Sequence, residues 1–244
     1  MRFLYVAPRY HTNQVPIIRG LKRKGHEVCF LSQYAGKVED YSDLTPTVIG
    51  YSRIFLFFDR IYVALMKNRD AYAGDRKMKC GFPPIGKLKR AIRDSHGDVA
   101  VLRERSVYSI CAYLLCKKYK IPAILYNQSP LWEDCIKNDP AHRLMRLLTP
   151  TVRMTPVMGV QNGRKVKEPG AAFVPFVMEP EQKAEEKRWI KDGITHIFSI
   201  GKYEERKNHR MLVEIVEELS AVYNIHLTIA GERTTSAHQA YYDR

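Results

Sequence analysis

The sequence predicts an α/β protein: a complete doubly wound parallel-sheet domain followed by the opening of a second. Three observations predict this. RFLYVA (2–7), a helical pattern over 13–24 and the apolar run 28–31 form one strand–helix–strand unit. About 30 residues is the spacing of a right-handed parallel crossover. The alternation recurs over 98–126 and starts afresh at Thr195.

Each element has a local reason. Val15, Ile17, Ile18 and Leu21 give the first helix an apolar side, and Lys-Gly-His-Glu (24–27) ends it, because glycine tolerates the left-handed C′ position. DVAVL (98–102) reads as a strand, Ser106–Lys118 as a helix, and PAILY (122–126) as the next strand. Between them, 34–96 is less regular. It holds IFLFFDRIYVALM (54–66), which suits a core helix or an interfacial one; burial in the core is the expectation. A short helix near 141–148 precedes two expected strands, TPVMGV (155–160) and AAFVPFV (171–177), separated by a polar turn. KAEEKRWIKDG (183–193) reads as a charged helix ended by Gly193. THIFSIG (195–201) then begins a new unit. Lys207–Ala221 carries the stripe Met211, Leu212, Ile215, Val216, Leu219, and HLTIAG (226–231) follows as a strand.

Composition narrows the chemistry. No run approaches the roughly 20 apolar residues of a membrane span, and the N-terminus lacks a secretory signal's long apolar core. A cytoplasmic protein is expected, at most peripheral at the inner face of a membrane. The five cysteines, Cys29, Cys80, Cys111, Cys116 and Cys135, include no CxxC pair and suggest neither disulfide framework nor zinc site. No metal or cofactor is implied. The net charge of +14 is concentrated in residues 1–190, which hold 33 basic and 18 acidic residues. Its densest part, 53–93, sets eleven Lys or Arg against Asp59, Asp70 and Asp75. Such a surface favours anionic partners, including acidic lipid headgroups, and should form one patch. No recognised nucleic-acid module appears, so nucleic acid is not an expected partner.

The segment IGKYEERKNHRMLVEIVEEL (200–219) carries the sharpest chemistry. A glycine ends a strand, cations stand at 202, 206 and 207, and a helix begins at once. Backbone N–H groups at a helix N-terminus, with flanking ammonium groups, suit a diphosphate; a basic turn that merely solvates a helix start is the plain alternative. Gly201-Lys202-Tyr203, three residues, then Lys207-Asn208-His209 resembles the opening of the donor domain in retaining family-four glycosyltransferases, which have the GT-B fold of two Rossmann-like domains. The resemblance implies diphosphate binding by Gly201, Lys202 and Lys207. The family usually has arginine where Lys202 stands, so charge is kept but bidentate geometry is lost. LTIAGE (227–232) resembles the family's next landmark.

The N-terminal half is similar more loosely. Lys-Gly-His-Glu-Val (24–28) resembles the acceptor-side opening, but the first loop (8–14) has no glycine where the family often carries a pair. The missing GxGxxG also argues against a dinucleotide enzyme. Loops beyond strand carboxyl ends are where open α/β sheets bind ligands. This nominates Tyr10, His11 and Asn13 in the first loop, Arg103 and Glu104 after DVAVL, and Asn127 and Gln128 after PAILY as cleft or acceptor residues. Arg103 and Glu104 could equally form a local ion pair.

The organisation implied is an acceptor-side domain over 1–177, a linker over 178–193 and a partial donor domain over 194–244. The family's Glu-x7-Glu pair is absent from these 244 residues. The chain therefore reads as C-terminally truncated, with little transfer activity expected as it stands. The implied activity is sugar transfer from a nucleotide-sugar donor to an anionic or lipid-linked acceptor, in cell-surface polysaccharide, glycolipid or related glycan synthesis. A sugar-nucleotide epimerase and a non-catalytic binding module are the alternatives.

Overall fold

The computed structural model describes residues 1–36, 40–65, 73–104, 106–127, 140–156, 159–161, 164–166, 170–175, 177, 190–231, 233 and 236–243. They fall into two compact units, Met1–Glu179 and Pro180–Arg244.

In the first unit, β1 (Arg2–Ala7), α1 (Val15–Arg23) and β2 (Glu27–Ser32) form the first crossover, and β3 (Thr47–Val48) is a short edge strand. α2 (Arg53–Leu65), α3 (Ala73–Cys80) and α4 (Ile85–Asp94) lead to β4 (Val99–Arg103). α5 (Val107–Lys118), β5 (Ala123–Tyr126), α6 (Pro140–Leu148) and β6 (Arg153–Thr155) continue the alternation. A hairpin of β7 (Gly159–Gln161) and β8 (Arg164–Val166) precedes β9 (Ala171–Phe173). The main sheet has the order β3-β2-β1-β4-β5-β6-β9, with every pair parallel.

Strand alternation divides the core. Leu4, Val6, Leu31, Ala100, Leu102 and Leu125 pack with Leu88 and Ile92 of α4 and Ala112 of α5. Their neighbours Tyr5, Ala7, Phe30 and Val101 belong to a second cluster with Ile18 of α1. Successive strand side chains point to opposite faces, so a sheet covered on both sides needs near-continuous apolar strands.

Three expectations are corrected here. The strand expected over 155–160 is two elements: β6 ends at Thr155, and 159–161 joins the separate β7–β8 hairpin, paired antiparallel. The polar segment expected as a turn between strands contains β8. The helix over 54–66 exists as α2, but only one side of it is covered, with Phe55, Leu56 and Val63 half-buried beside Asp59. Asp59 is 4% exposed, whereas Ile54 is 73%, Phe58 63% and Leu65 79% exposed. α4, unassigned within 34–96, contributes two fully buried side chains.

The second unit contains β10 (Ile190–Lys191), β11 (Ile194–Ile200), α7 (His209–Ser220), β12 (Ile225–Ala230) and α8 (Ser236–Tyr242). Its sheet order is β10-β11-β12, with β10 antiparallel and β12 parallel to β11. The end of the charged helix expected over 183–193 is therefore strand and turn; residues 183–189 lie outside the described residues. Asp192 and Gly193 have φ of 53° and 75°, the left-handed pair that a two-residue hairpin turn requires. The Asp-Gly dipeptide is a hairpin signal, not a helix stop.

Candidate functional site

In the first unit the strand order reverses at β1, which has β2 on one side and β4 on the other. Loops leaving β1 and β4 then diverge and open a crevice at the carboxyl edge of the sheet. Three of the nominated residues sit in well-defined settings there. His11 opens a single 3-10 turn (Thr12–Gln14) with a reciprocal capping arrangement: its Nδ1 accepts from the Asn13 N–H at 3.2 Å, and its own N–H donates to Gln14 Oε1 at 2.9 Å. Gln14 Nε2 in turn donates to the Tyr126 hydroxyl at 2.6 Å, tying the first loop to β5. Side chains thus fix a loop that has no glycine. Asn13 stays exposed beside this anchor. Asn127 is buried, its N–H donating to the Met154 carbonyl at 2.9 Å.

Two nominated residues have structural placements. Tyr10 is fully buried, its ring edge-on to Phe30 at 5.3 Å and near Tyr41, so it belongs to the core under the loop. Burial pushes its hydroxyl up to about 12. Glu104 does not pair with Arg103. Its carboxylate accepts from Arg153 Nε at 2.8 Å, and Arg153 also donates to the Thr149 and Thr151 carbonyls. Arg103 lies over the Tyr126 ring, 5.5 Å from its centroid. Gln128 lies outside the described residues.

Asn13, Gln14, Tyr126 and Asn127 meet at one apolar cavity of about 230 Å³, walled by Tyr5 and Met154. Burial raises the Tyr126 hydroxyl, against a lowering by Arg103, so it remains a neutral donor and acceptor at physiological pH. Gln14, Tyr126 and Arg153 were not nominated. Only Gln14 had a sequence signal, its capping-box spacing from His11.

In the second unit the turn from Gly201 to Asn208 connects the end of β11 to α7. A Cβ on Gly201 would sit 3.4 Å from Lys207 Cγ and Cδ, so the lysine stem folds directly over this glycine. Gly201 and Lys207, six positions apart, are thereby brought together at the N-terminal end of α7. A 3-10 turn (Glu205–Lys207) and Asn208, left-handed at φ 50°, reverse the chain; the Asn208 side chain does not cap α7. Lys202 is exposed, and its carbonyl accepts from His209 Nε2 at 3.2 Å. His209 is 5% exposed, and its other ring nitrogen, Nδ1, is buried without a hydrogen bond. Tyr203 packs against His209 and Tyr242, and its hydroxyl donates to the Ile229 carbonyl.

Gly231 lies in the LTIAGE segment but was not nominated as a site residue. A Cβ there would lie 2.1 Å from the Gly201 carbonyl oxygen and 2.8 Å from the Tyr203 ring. The ends of β11 and β12 can approach only because this side chain is absent. A cleft of about 430 Å³ opens beside the turn, lined by Tyr203, Glu205, His209, Arg210 and Tyr242 among others.

Among the described residues no group of three or more His, Cys, Asp or Glu is placed to hold a metal ion, and no helix is long and apolar enough to cross a membrane. Of the cysteines, Cys116 is buried and its thiol pushed up to about 12; Cys80 is exposed.

A seven-stranded parallel sheet followed by a second strand–helix–strand unit is the architecture of the GT-B fold, and solved structures of that fold match the chain. They include a glycotransferase of kitacinnamycin (16% identity, 97% of this chain and 67% of that one, TM-score 0.53) and OtsA in its apo form (13%, 100% and 68%, TM-score 0.54). A Listeria monocytogenes protein described as a UDP-N-acetylglucosamine 2-epimerase also matches (10%, 98% and 64%, TM-score 0.52). The chain spans about two thirds of the length of these structures. At such identities the likeness is one of fold. No family model and no curated protein matches the sequence.

Proposed function

We propose that this protein is a glycosyltransferase that takes a nucleotide-sugar donor, with the Gly201–Asn208 turn as the seat of the donor diphosphate. The observation that carries the reading is the Lys207 stem folded over Gly201 at the start of α7, where the Asn208 side chain makes no cap and the Tyr241 hydroxyl accepts from the Arg210 N–H at 3.3 Å. A lysine on a flexible stem, a glycine at a strand end and helix N–H groups lie together there, which is what a diphosphate needs. When the oxygen of an acceptor hydroxyl bonds to the anomeric carbon, its proton leaves to solvent or to the departing diphosphate, the bond from that carbon to the diphosphate breaks and negative charge grows on the departing group. Lys202 and Lys207 stabilise that charge as it develops. The crevice of the first unit, with Asn13 and Asn127 in its lining, is the acceptor side in this reading, and the basic first unit suits an anionic or lipid-linked acceptor.

The test is calorimetric titration of the chain with UDP-, GDP- and ADP-linked sugars. One donor should bind, and Lys207→Ala should weaken it by roughly 10- to 100-fold, the scale of a hydrogen bond to a charged group. Equal affinity in the variant would remove the diphosphate assignment. Donor incubated without acceptor separates the fold's other chemistry: an epimerase would convert the sugar itself, and a transferase would leave it intact.

A further inference from the structure

α2 carries apolar residues on both sides: Phe55, Leu56 and Val63 are half-buried beside Asp59, and a second apolar stripe has nothing over it among the described residues. Its charged Asp59 faces inward, where Arg76 and Lys77 of α3 hold it, Lys77 Nζ at 3.3 Å. Ile54, Phe57, Phe58, Ile61 and Leu65 face outward. Their spacing of i, i+3, i+4, i+7 and i+11 puts all five on one stripe of a helix about 20 Å long. Single exposed apolar residues need no explanation, but a contiguous stripe marks a surface that meets something apolar.

The surroundings say what that is. Arg53 and Arg60, seven positions apart, are exposed along one edge of the stripe. On the other edge Tyr62 carries the Arg76 guanidinium over its ring at 4.1 Å. Exposed Lys87, Lys89, Arg90 and Arg93 of α4 continue the basic segment, which sets eleven Lys or Arg against three Asp over 53–93. An apolar stripe rimmed by arginine, with aromatic residues within it, matches an anionic bilayer surface: acyl chains for the stripe and lipid phosphates for the rim. A protein partner would need an acidic rim around an apolar groove, and a second copy of this chain would set basic rim against basic rim.

We propose that α2 is a membrane-docking helix, lying in the headgroup region of an anionic bilayer with Phe57 and Phe58 as its insertion points. It does not span the bilayer. The proposal is independent of the donor site, which it leaves untouched.

Co-sedimentation of the full chain with vesicles tests it. Vesicles of equal parts phosphatidylcholine and phosphatidylglycerol should bind the protein at least about tenfold more tightly than phosphatidylcholine alone, and salt should release it. Phe57→Ser with Phe58→Ser should reduce binding about tenfold or more with the circular dichroism spectrum and melting temperature unchanged, because neither ring is packed inside. Arg53→Ser with Arg60→Ser should reduce binding to the anionic vesicles and leave the weak binding to neutral ones. Wild-type binding by the Phe variant, or no preference for the anionic vesicles, would overturn the proposal. So would self-association in light scattering that the Phe variant abolishes, which would make the stripe an interface between copies.

Discussion

Glu104 stands directly after β4, where an open α/β sheet presents polar side chains to ligands, yet its carboxylate turns to Arg153. The two are only 9% and 10% exposed, and 49 positions separate them. No sequence rule announces such a partner, whereas the adjacent Arg103 is an obvious wrong one. Breaking a buried pair strands a charge. Arg153→Met should therefore cost roughly 3–5 kcal/mol, and Glu104→Leu added to it should recover much of that loss. Urea denaturation of the two variants measures both; a double variant no more stable than Arg153→Met would show that the arginine acts through its Thr149 and Thr151 carbonyl bonds instead. The closeness of Lys207 to Gly201 was legible because both lie in one short segment. His11 was legible as a loop residue and its capping partner Gln14 by spacing, but the bond from Gln14 to Tyr126 reaches a strand more than a hundred positions away.

At the scale of elements, legibility followed from how far the local pattern matched the packing. β1, β2, β4 and β5 have apolar interiors, with polar residues only at their ends, because the sheet is covered on both faces, and they were read nearly to the residue. α2 looked like a core helix because hydrophobicity does not say which way a stripe faces; Asp59 was the one clue, and its salt-bridge partners come from α3. The three-residue β6, β7 and β8 carry too few residues for a period to show. The tyrosines of these elements also set a limit in alkali. Tyr5 of β1 is buried, its hydroxyl pushed up to about 12, and Tyr10 behaves alike. A free tyrosine ionises near 10. Below that both folded and unfolded chains keep the proton. Above it the unfolded chain loses the proton first, so each such tyrosine removes stability as pH rises to about 12, by about 1.4 kcal/mol per pH unit. The urea midpoint should fall across this window, and Tyr5→Phe should make the fall shallower. An unchanged slope would mean that Tyr5 ionises freely in the folded protein.

The two units of the molecule differ in how well their apolar surface is covered, and this sets their stabilities apart. Leu4, Ala100, Leu102 and Leu125 of the first sheet are wholly buried. In the second unit His209 is the one buried side chain among the described residues. α7 covers one face of β11–β12 incompletely, leaving Met211 and Ile215 half exposed, and Phe198 and Ile200 stand open on the strand. Burial of apolar area is the main favourable term in folding, and local stability follows it. Amides of β11 and β12 should exchange with solvent through openings of lower free energy than those of β1 and β4, and should lose protection first as urea is added. The donor proposal adds a second arm. A ligand that binds only the folded second unit stabilises it by about 2.7 kcal/mol at a hundredfold excess over its dissociation constant. Donor should therefore slow exchange in β11, in the Gly201–Asn208 turn and at the start of α7, and leave β1 and β4 unchanged. Hydrogen-exchange mass spectrometry with and without the donor reads both arms. Equal protection of the two sheets without ligand would show that the second unit is as firmly folded as the first. Slowing confined to β1 and β4 would move the donor to the first unit and leave Lys207 without its ligand.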